Sequence, residues 1–123
     1  MISAFAQLWQ MYGEVPLDYE KLKSIKGIGQ YIAGATLCFT LDKPYVLVDT
    51  NIVRVIGRVF GLDLSGEARR RKVVINTIEN VIDQQFPRLF YYSIIDLAHS
   101  ICFNNEPVCF QCPLINLPCQ FPK

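Results

Sequence analysis

The sequence predicts an all-helical protein, and three features carry that expectation. Apolar residues recur at intervals of three and four along most of the chain, the period of an amphipathic helix. Glycine and proline punctuate these stretches at the places where helices end or begin. The last segment, Cys102 to Lys123, holds four of the seven prolines and four of the five cysteines without any periodicity, so something other than an apolar core must fold it.

Taken in order, Ile2 to Tyr12 reads as an amphipathic helix with Phe5, Leu8, Trp9 and Tyr12 on one face, stopped by Gly13. Pro16-Leu17-Asp18 opens a second helix that runs to about Ile25. A tight hairpin follows, Lys26-Gly27-Ile28-Gly29, and a third helix from Gln30 to about Thr40. This helix is rich in Ala and Gly (Ala33, Gly34, Ala35), so a neighbouring segment can approach it closely. Asp42-Lys43-Pro44 is a loop, and Tyr45 to Val48 is a short strand-like or extended run. Thr50 or Asn51 caps the next helix, whose stripe is Ile52, Val55, Ile56, Val59 and Phe60, with Arg54 and Arg58 on the opposite face. After the turn Gly61 to Gly66, a long helix spans Glu67 to Gln85 with Val74, Ile78, Val81 and Ile82 at helical spacing. Pro87 breaks it. Arg88 to Ile101 is the last long helix, with Tyr91, Ile94, Ile95 and Ala98 inside.

Composition bounds the function classes. With 123 residues, 51% hydrophobic and 19% charged, the chain fits one compact domain and is neither disordered nor fibrous. No apolar run is long enough for a membrane span, and the start lacks a basic region and cleavage site, so a cytoplasmic or nucleoid location is expected. The net charge of +1 does not by itself advertise a nucleic-acid partner, so such a reading rests on local features. The high apolar fraction points to self-association or to a partner segment that covers the excess.

Three constellations carry chemistry. In Leu22-Lys23-Ser24-Ile25-Lys26-Gly27-Ile28-Gly29-Gln30-Tyr31-Ile32-Ala33, two glycines flank an apolar plug between two helices. The bare backbone and the amides at the start of the second helix form an anion site that suits a DNA phosphate. An ordinary interhelical turn is the plainer alternative. In Tyr45-Val46-Leu47-Val48-Asp49-Thr50-Asn51-Ile52, an apolar run delivers one carboxylate to a helix start. Helix capping explains it. So does a catalytic role, in which a fixed anion stabilises oxocarbenium-like charge on a sugar. In Cys102-x6-Cys109-x2-Cys112-x6-Cys119, four thiolates can close one site, accepted by zinc or by a four-iron cluster.

The ordered set of these three motifs, followed through Ile94-Ile95-Asp96-Leu97-Ala98-His99-Ser100-Ile101-Cys102, resembles the helix-hairpin-helix DNA glycosylase superfamily of endonuclease III from about Phe5 to Cys119. Within it the chain looks most similar to the mismatch branch, the adenine and thymine–guanine mismatch glycosylases. The resemblance implies a partial helical barrel with the hairpin over residues 1–44 and a helical iron–sulfur domain over 45–123. It implies that Lys26, Gly27, Ile28, Gly29 and Gln30 bind the backbone of double-stranded DNA. It also implies that Cys102, Cys109, Cys112 and Cys119 hold a [4Fe-4S] cluster and that the target nucleotide is flipped out of the duplex.

Asp49 and Tyr31 are the catalytic candidates. Bifunctional members carry a Schiff-base lysine where this chain has Tyr31, so the resemblance implies a monofunctional glycosylase: Asp49 assists, water attacks and an abasic site remains. A tyrosine there matches the thymine–guanine enzyme. The last cysteine interval is six residues where the family usually has five, which a one-residue insertion in the loop accounts for. The family's earlier barrel helices have no counterpart before Phe5. The chain is therefore expected to be the C-terminal portion of such an enzyme, or a DNA-binding remnant of one. Apolar faces around Phe5, Trp9, Ile32 and Leu37 are then expected to be bare, with self-association or a partner supplying the missing helices.

Among the remaining residues, Arg69-Arg70-Arg71-Lys72 is expected to be a solvated helix face, with phosphate steering as the alternative. Lys21, Lys23 and Lys26 lie nearer the hairpin and are better phosphate candidates. Arg54 and Arg58 either face DNA or pair with acids. His99 is expected in a structural hydrogen bond, Cys38 as a buried hydrophobe, and Asp96 as an internal cap or ion pair.

Overall fold

The computed structural model describes residues 2–14, 16–117 and 119–121, with the side chains of 2–5 outside the described set. Among these described residues six α-helices follow one another: α1 (Ile2–Tyr12), α2 (Tyr19–Lys23), α3 (Gln30–Leu41), α4 (Thr50–Phe60), α5 (Glu67–Val81) and α6 (Pro87–Ser100). A single 3-10 turn lies at Cys109–Gln111. Among the described residues no strand forms, and no helix is long and apolar enough to cross a membrane. Contacts divide the chain into two compact units, Met1–Leu47 with Gln84–Arg88, and Val48–Asp83 with Leu89–Lys123.

The first unit is built around the hairpin. Leu8, Leu22, Ile25, Ile28, Ala33 and Leu37 form one buried cluster, with Tyr19, Ile32 and Tyr45 packed against it. Asp18 starts α2 by accepting the Lys21 N–H at 3.0 Å, so the helix is shorter than the expected span from Pro16 to Ile25. Ile25 leaves the helix to enter the core instead. Gly27 adopts φ +97°, a conformation that strains any residue with a Cβ. Tyr45 to Leu47 runs extended across α3, where a Cβ on Gly34 would sit 3.4 Å from Leu47 Cδ2 and Tyr45 Cβ. Tyr19 and Tyr45 stack with ring centroids 5.3 Å apart.

Two expectations about bare apolar faces are corrected here. Leu37 is buried and Ile32 half-buried, because both turn toward the α2–hairpin cluster. Trp9 is 63% exposed, and the side chain of Phe5 lies outside the described residues.

The end of α3 is joined to the start of α6. Asp42 closes α3 in the left-handed conformation, and its carboxylate accepts the Arg88 N–H at 2.8 Å. Arg88 Nη1 returns a hydrogen bond to the Phe39 carbonyl at 3.0 Å. Pro87 is therefore the first residue of α6 rather than only a break, the position where its missing N–H is no loss. Cys38 is fully buried on α3, as expected. Burial, and then the nearby Asp42, push its thiol up from 9.0 to about 11, against a smaller pull from Arg88.

Folding thus favours the protonated Cys38 thiol. That contribution to stability is complete below about pH 9.0 and is lost as pH rises through about 11. Because alkylation needs the thiolate, Cys38 should be the last cysteine labelled by iodoacetamide at pH 8.5 in the folded chain freed of any bound metal or cluster, and should label readily in urea. Peptide mass spectrometry reads this directly. Prompt labelling of Cys38 without denaturant would contradict the burial argument.

In the second unit, Ile52, Val55, Ile56, Val74, Ile78, Ile82, Tyr91, Ile94 and Ala98 are buried, and α4 packs on α5. Three expected core positions differ: Phe60 is 42% exposed at the end of α4, Val81 is exposed, and Ile95 is only half-buried. The long helix stops at Val81 instead of Gln85. Ile82 turns to an extended ψ of 135° and buries its side chain. Asp96 is exposed, not internal, because it lies off the buried face marked by Tyr91, Ile94 and Ala98.

Candidate functional site

In the first unit, the site residues gather at the hairpin. Ile28 is 3% exposed and donates its N–H to the Ile25 carbonyl at 3.0 Å, so it plugs the turn into the core as expected. Lys26, Gly27, Gly29, Gln30 and Tyr31 are all exposed. Gly29 is the N-cap of α3 and brings no side-chain cap. A Cβ there would meet nothing within 4 Å, so the first turn of α3 is open to an approaching ligand. The neighbouring helix α2, by contrast, has its start closed by the Asp18 carboxylate. Two of the nearby lysines rest on aromatic rings: Lys21 Nζ lies 5.4 Å from the Tyr12 centroid and Lys23 Nζ 5.8 Å from that of Tyr19.

In the second unit, Asp49 itself is the N-cap of α4, displacing Thr50 and Asn51 from the role expected for one of them. Its backbone is extended (φ −132°, ψ 179°), which aims Oδ1 at the Ile52 N–H at 2.8 Å. The apolar run before it has no strand partner among the described residues and simply carries Asp49 to the helix start. Asp49 lines a cavity of about 410 Å³ with Val48, Thr50, Val53, Glu67, Arg70 and Arg71. Capping and exposure to a cavity coexist here: the carboxylate is half-buried, held by a backbone amide, and still faces open volume.

The four clustered cysteines, Cys102, Cys109, Cys112 and Cys119, line one common cavity, otherwise walled by Arg58 and by apolar groups such as Val59, Leu97, Ile101 and Pro107. All four are half-buried, free thiols. Among the described residues no group of three His, Cys, Asp or Glu side chains is gathered tightly enough to hold a metal ion as it stands. The segment is held by α4. Arg54 donates to the carbonyls of Cys102 at 2.9 Å and Ala98 at 3.0 Å. Arg58 donates to the carbonyls of Phe103 at 2.6 Å and Asn104 at 2.9 Å, reaches Cys102 Sγ at 3.5 Å, and lies 4.6 Å from the Phe121 ring centroid. The Gln120 N–H bonds the Val59 carbonyl at 3.0 Å. The Leu114 N–H points at Cys112 Sγ at 3.4 Å.

Of the two roles open from sequence, facing DNA or pairing with acids, neither accounts for the donors seen here: Arg54 bonds the carbonyls of Ala98 and Cys102, and Arg58 those of Phe103 and Asn104. Their spacing of four residues, which places both on one face of α4, was the only available signal. His99 meets Asn51 Nδ2 at 3.5 Å, the structural contact expected of it, but from the last turn of α6 rather than from a turn.

No family model matches the chain. A thymine/uracil-DNA glycosylase of Pyrobaculum aerophilum is 34% identical over 114 residues, 89% of this chain and 49% of that protein. A solved thermostable thymine-DNA glycosylase superposes with a TM-score of 0.80 at 25% identity, covering 98% of this chain and 56% of the other. The chain belongs to the helix-hairpin-helix DNA glycosylase superfamily. An endonuclease III, solved as a trapped covalent intermediate with DNA, shares the fold at a TM-score of 0.74 and 23% identity, over 97% of this chain and 55% of its own. Adenine DNA glycosylases are further relatives. The chain spans about half the length of the curated thymine glycosylases it matches and 29% of an adenine DNA glycosylase of Buchnera aphidicola.

Proposed function

We propose that this chain carries the DNA-gripping hairpin and the essential carboxylate of a monofunctional base-excision glycosylase. One observation carries the reading: Asp49, to which the superfamily resemblance gives the assisting role, is a helix cap that also faces an open cavity. The similarity to thymine/uracil-DNA glycosylase over 89% of the chain supports the substrate class, a mismatched or damaged base in double-stranded DNA. Residues 1–44 act as part of a helical barrel and 45–123 as the cluster domain, working on DNA in the cytoplasm or nucleoid.

In this reading the Lys26–Gln30 hairpin takes a backbone phosphate on the uncapped first turn of α3, a contact blind to sequence. The extruded nucleotide then places its sugar beside Asp49. The C1′–N bond breaks with its electron pair leaving on the base, and the carboxylate stabilises the positive charge left on the sugar. Water adds to C1′ and gives up a proton, leaving an abasic site. Tyr31 offers a phenol and no amine, so no Schiff base forms at that position and the strand stays intact.

Cys102, Cys109, Cys112 and Cys119 would hold a [4Fe-4S] cluster, which when bound supplies a rigid cross-link for the tail. The donor set suits the cluster in kind, four free thiols around one cavity with an arginine and a backbone N–H near two of the sulfurs, and the thiols would draw closer together to bind it. A single zinc would instead need all four sulfurs at about 2.3 Å from one point.

The test is excision by the 123-residue chain on duplexes with thymine–guanine, uracil–guanine and adenine–8-oxoguanine pairs, with alkali cleavage to reveal abasic sites. Product on one of these supports the reading. Absence of product with duplex binding retained replaces it with a non-catalytic DNA-binding module. Broad visible absorbance of the isolated protein is expected for the cluster; colourless protein with stoichiometric zinc overturns that assignment.

A further inference from the structure

We infer that Arg70 and Arg71 bind a phosphodiester of the strand that carries the extruded nucleotide, directly beside Asp49. The inference deepens the glycosylase reading and rests on it for the role of Asp49. The starting point is the run Arg69-Arg70-Arg71-Lys72, all exposed at the start of α5. Helical geometry sorts these four cations. Glu67, Arg70 and Arg71 stand at i, i+3 and i+4 and share one face. That face lines the same cavity as Asp49. Arg69 lies off it and pairs with Asp63 at 3.5 Å. The whole basic run is solvated, as expected, and two of its members also line the cavity beside Asp49.

Charge chemistry names the ligand class. A nucleotide brings its sugar with a phosphate on either side. A cavity holding Asp49 and Glu67 alone would repel those phosphates while attracting the sugar cation. Arg70 and Arg71 restore the balance, two cations against two anions around one volume. The planar guanidinium fork matches two phosphate oxygens, which an ammonium does not. At about 410 Å³ the cavity is within the roughly 300–1,000 Å³ of small-ligand sites, enough for a sugar and its phosphate. With a net charge of only +1, the chain needs cations placed where the backbone passes rather than a general positive field. Arg70 and Arg71 would then supply a phosphate contact on the second unit, independent of the hairpin.

The experiment measures binding of the full chain to a duplex containing a tetrahydrofuran abasic analogue, which keeps the sugar and phosphates and removes the base, across a salt series. Parent, Arg70→Gln/Arg71→Gln and Arg69→Gln are compared, with far-UV circular dichroism to check folding. The double variant should bind about tenfold more weakly, with a salt slope lower by roughly one to two, while Arg69→Gln stays at the parent value. The loss should be larger on the analogue duplex than on an intact one. Equal slopes for parent and double variant, an equal loss in Arg69→Gln, or no binding of the analogue by the parent would each overturn the inference. The excision assay separates the two readings. A chain without excision but with the Arg70/Arg71-dependent slope keeps this site and loses the enzyme. An active chain with unchanged slopes does the reverse.

Discussion

Asp49→Asn is expected to abolish excision while leaving the fold and duplex binding in place. Asparagine caps helices as well as aspartate does, and its carbonyl oxygen can keep the Ile52 N–H that Asp49 now takes at 2.8 Å. In the proposed mechanism, what disappears is the fixed negative charge next to the sugar cation. Loss of one such electrostatic contact costs about a hundredfold to a thousandfold in rate. Asp49→Ala should lose the same activity and also about 1 kcal/mol of stability, because the cap goes with the charge. Single-turnover excision on the preferred mismatch, with urea unfolding alongside, separates the two effects. An Asn variant within about twofold of the parent rate would mean that Asp49 is a cap and nothing more.

Arg58→Ala is expected to have the largest effect on stability. The guanidinium bonds two loop carbonyls and touches Cys102 Sγ, and it stacks over Phe121. Truncation leaves those carbonyls without their charged donor and removes the cation–π contact. The expected cost is about 2–4 kcal/mol, read from urea unfolding. Local loosening should be visible as faster proteolysis within residues 102–121. Arg58→Lys should fall between the two, since a single ammonium cannot span both carbonyls and the ring. A cost under about 0.5 kcal/mol would show the loop is held by other contacts, Arg54 and the Gln120–Val59 bond among them.

The two residues differ in how they came to light. Asp49 was legible because an apolar run, a carboxylate and a helix start fall within a few positions, a pattern local enough to read directly. Arg58 was not, since its partners lie 44 to 46 residues away and no local rule pairs an arginine with backbone carbonyls at that separation. The same holds for Arg70 and Arg71. Their charge was obvious, but which of four adjacent cations meets the Asp49 cavity depends on how α5 is rotated against α4.

Helix ends show the same division. Gly61, at φ +62°, and the Gly27 turn end their segments through backbone preferences that a sequence displays. The early stop of α5 at Val81 does not follow from any local breaker; burial of Ile82 decides it.

The all-helical class, the Gly27-Ile28-Gly29 hairpin, the carboxylate at the start of α4 and the four-cysteine tail can all be read from local sequence. Each is a short-range pattern whose physics acts within one or two helical turns. Only the tertiary structure decided that the four thiols line one cavity, that Arg54 and Arg58 hold the tail, that Leu37 is covered, and that Asp49 shares its cavity with two arginines. These depend on how separate helices are rotated and packed against one another, which contacts between residues far apart in the chain determine.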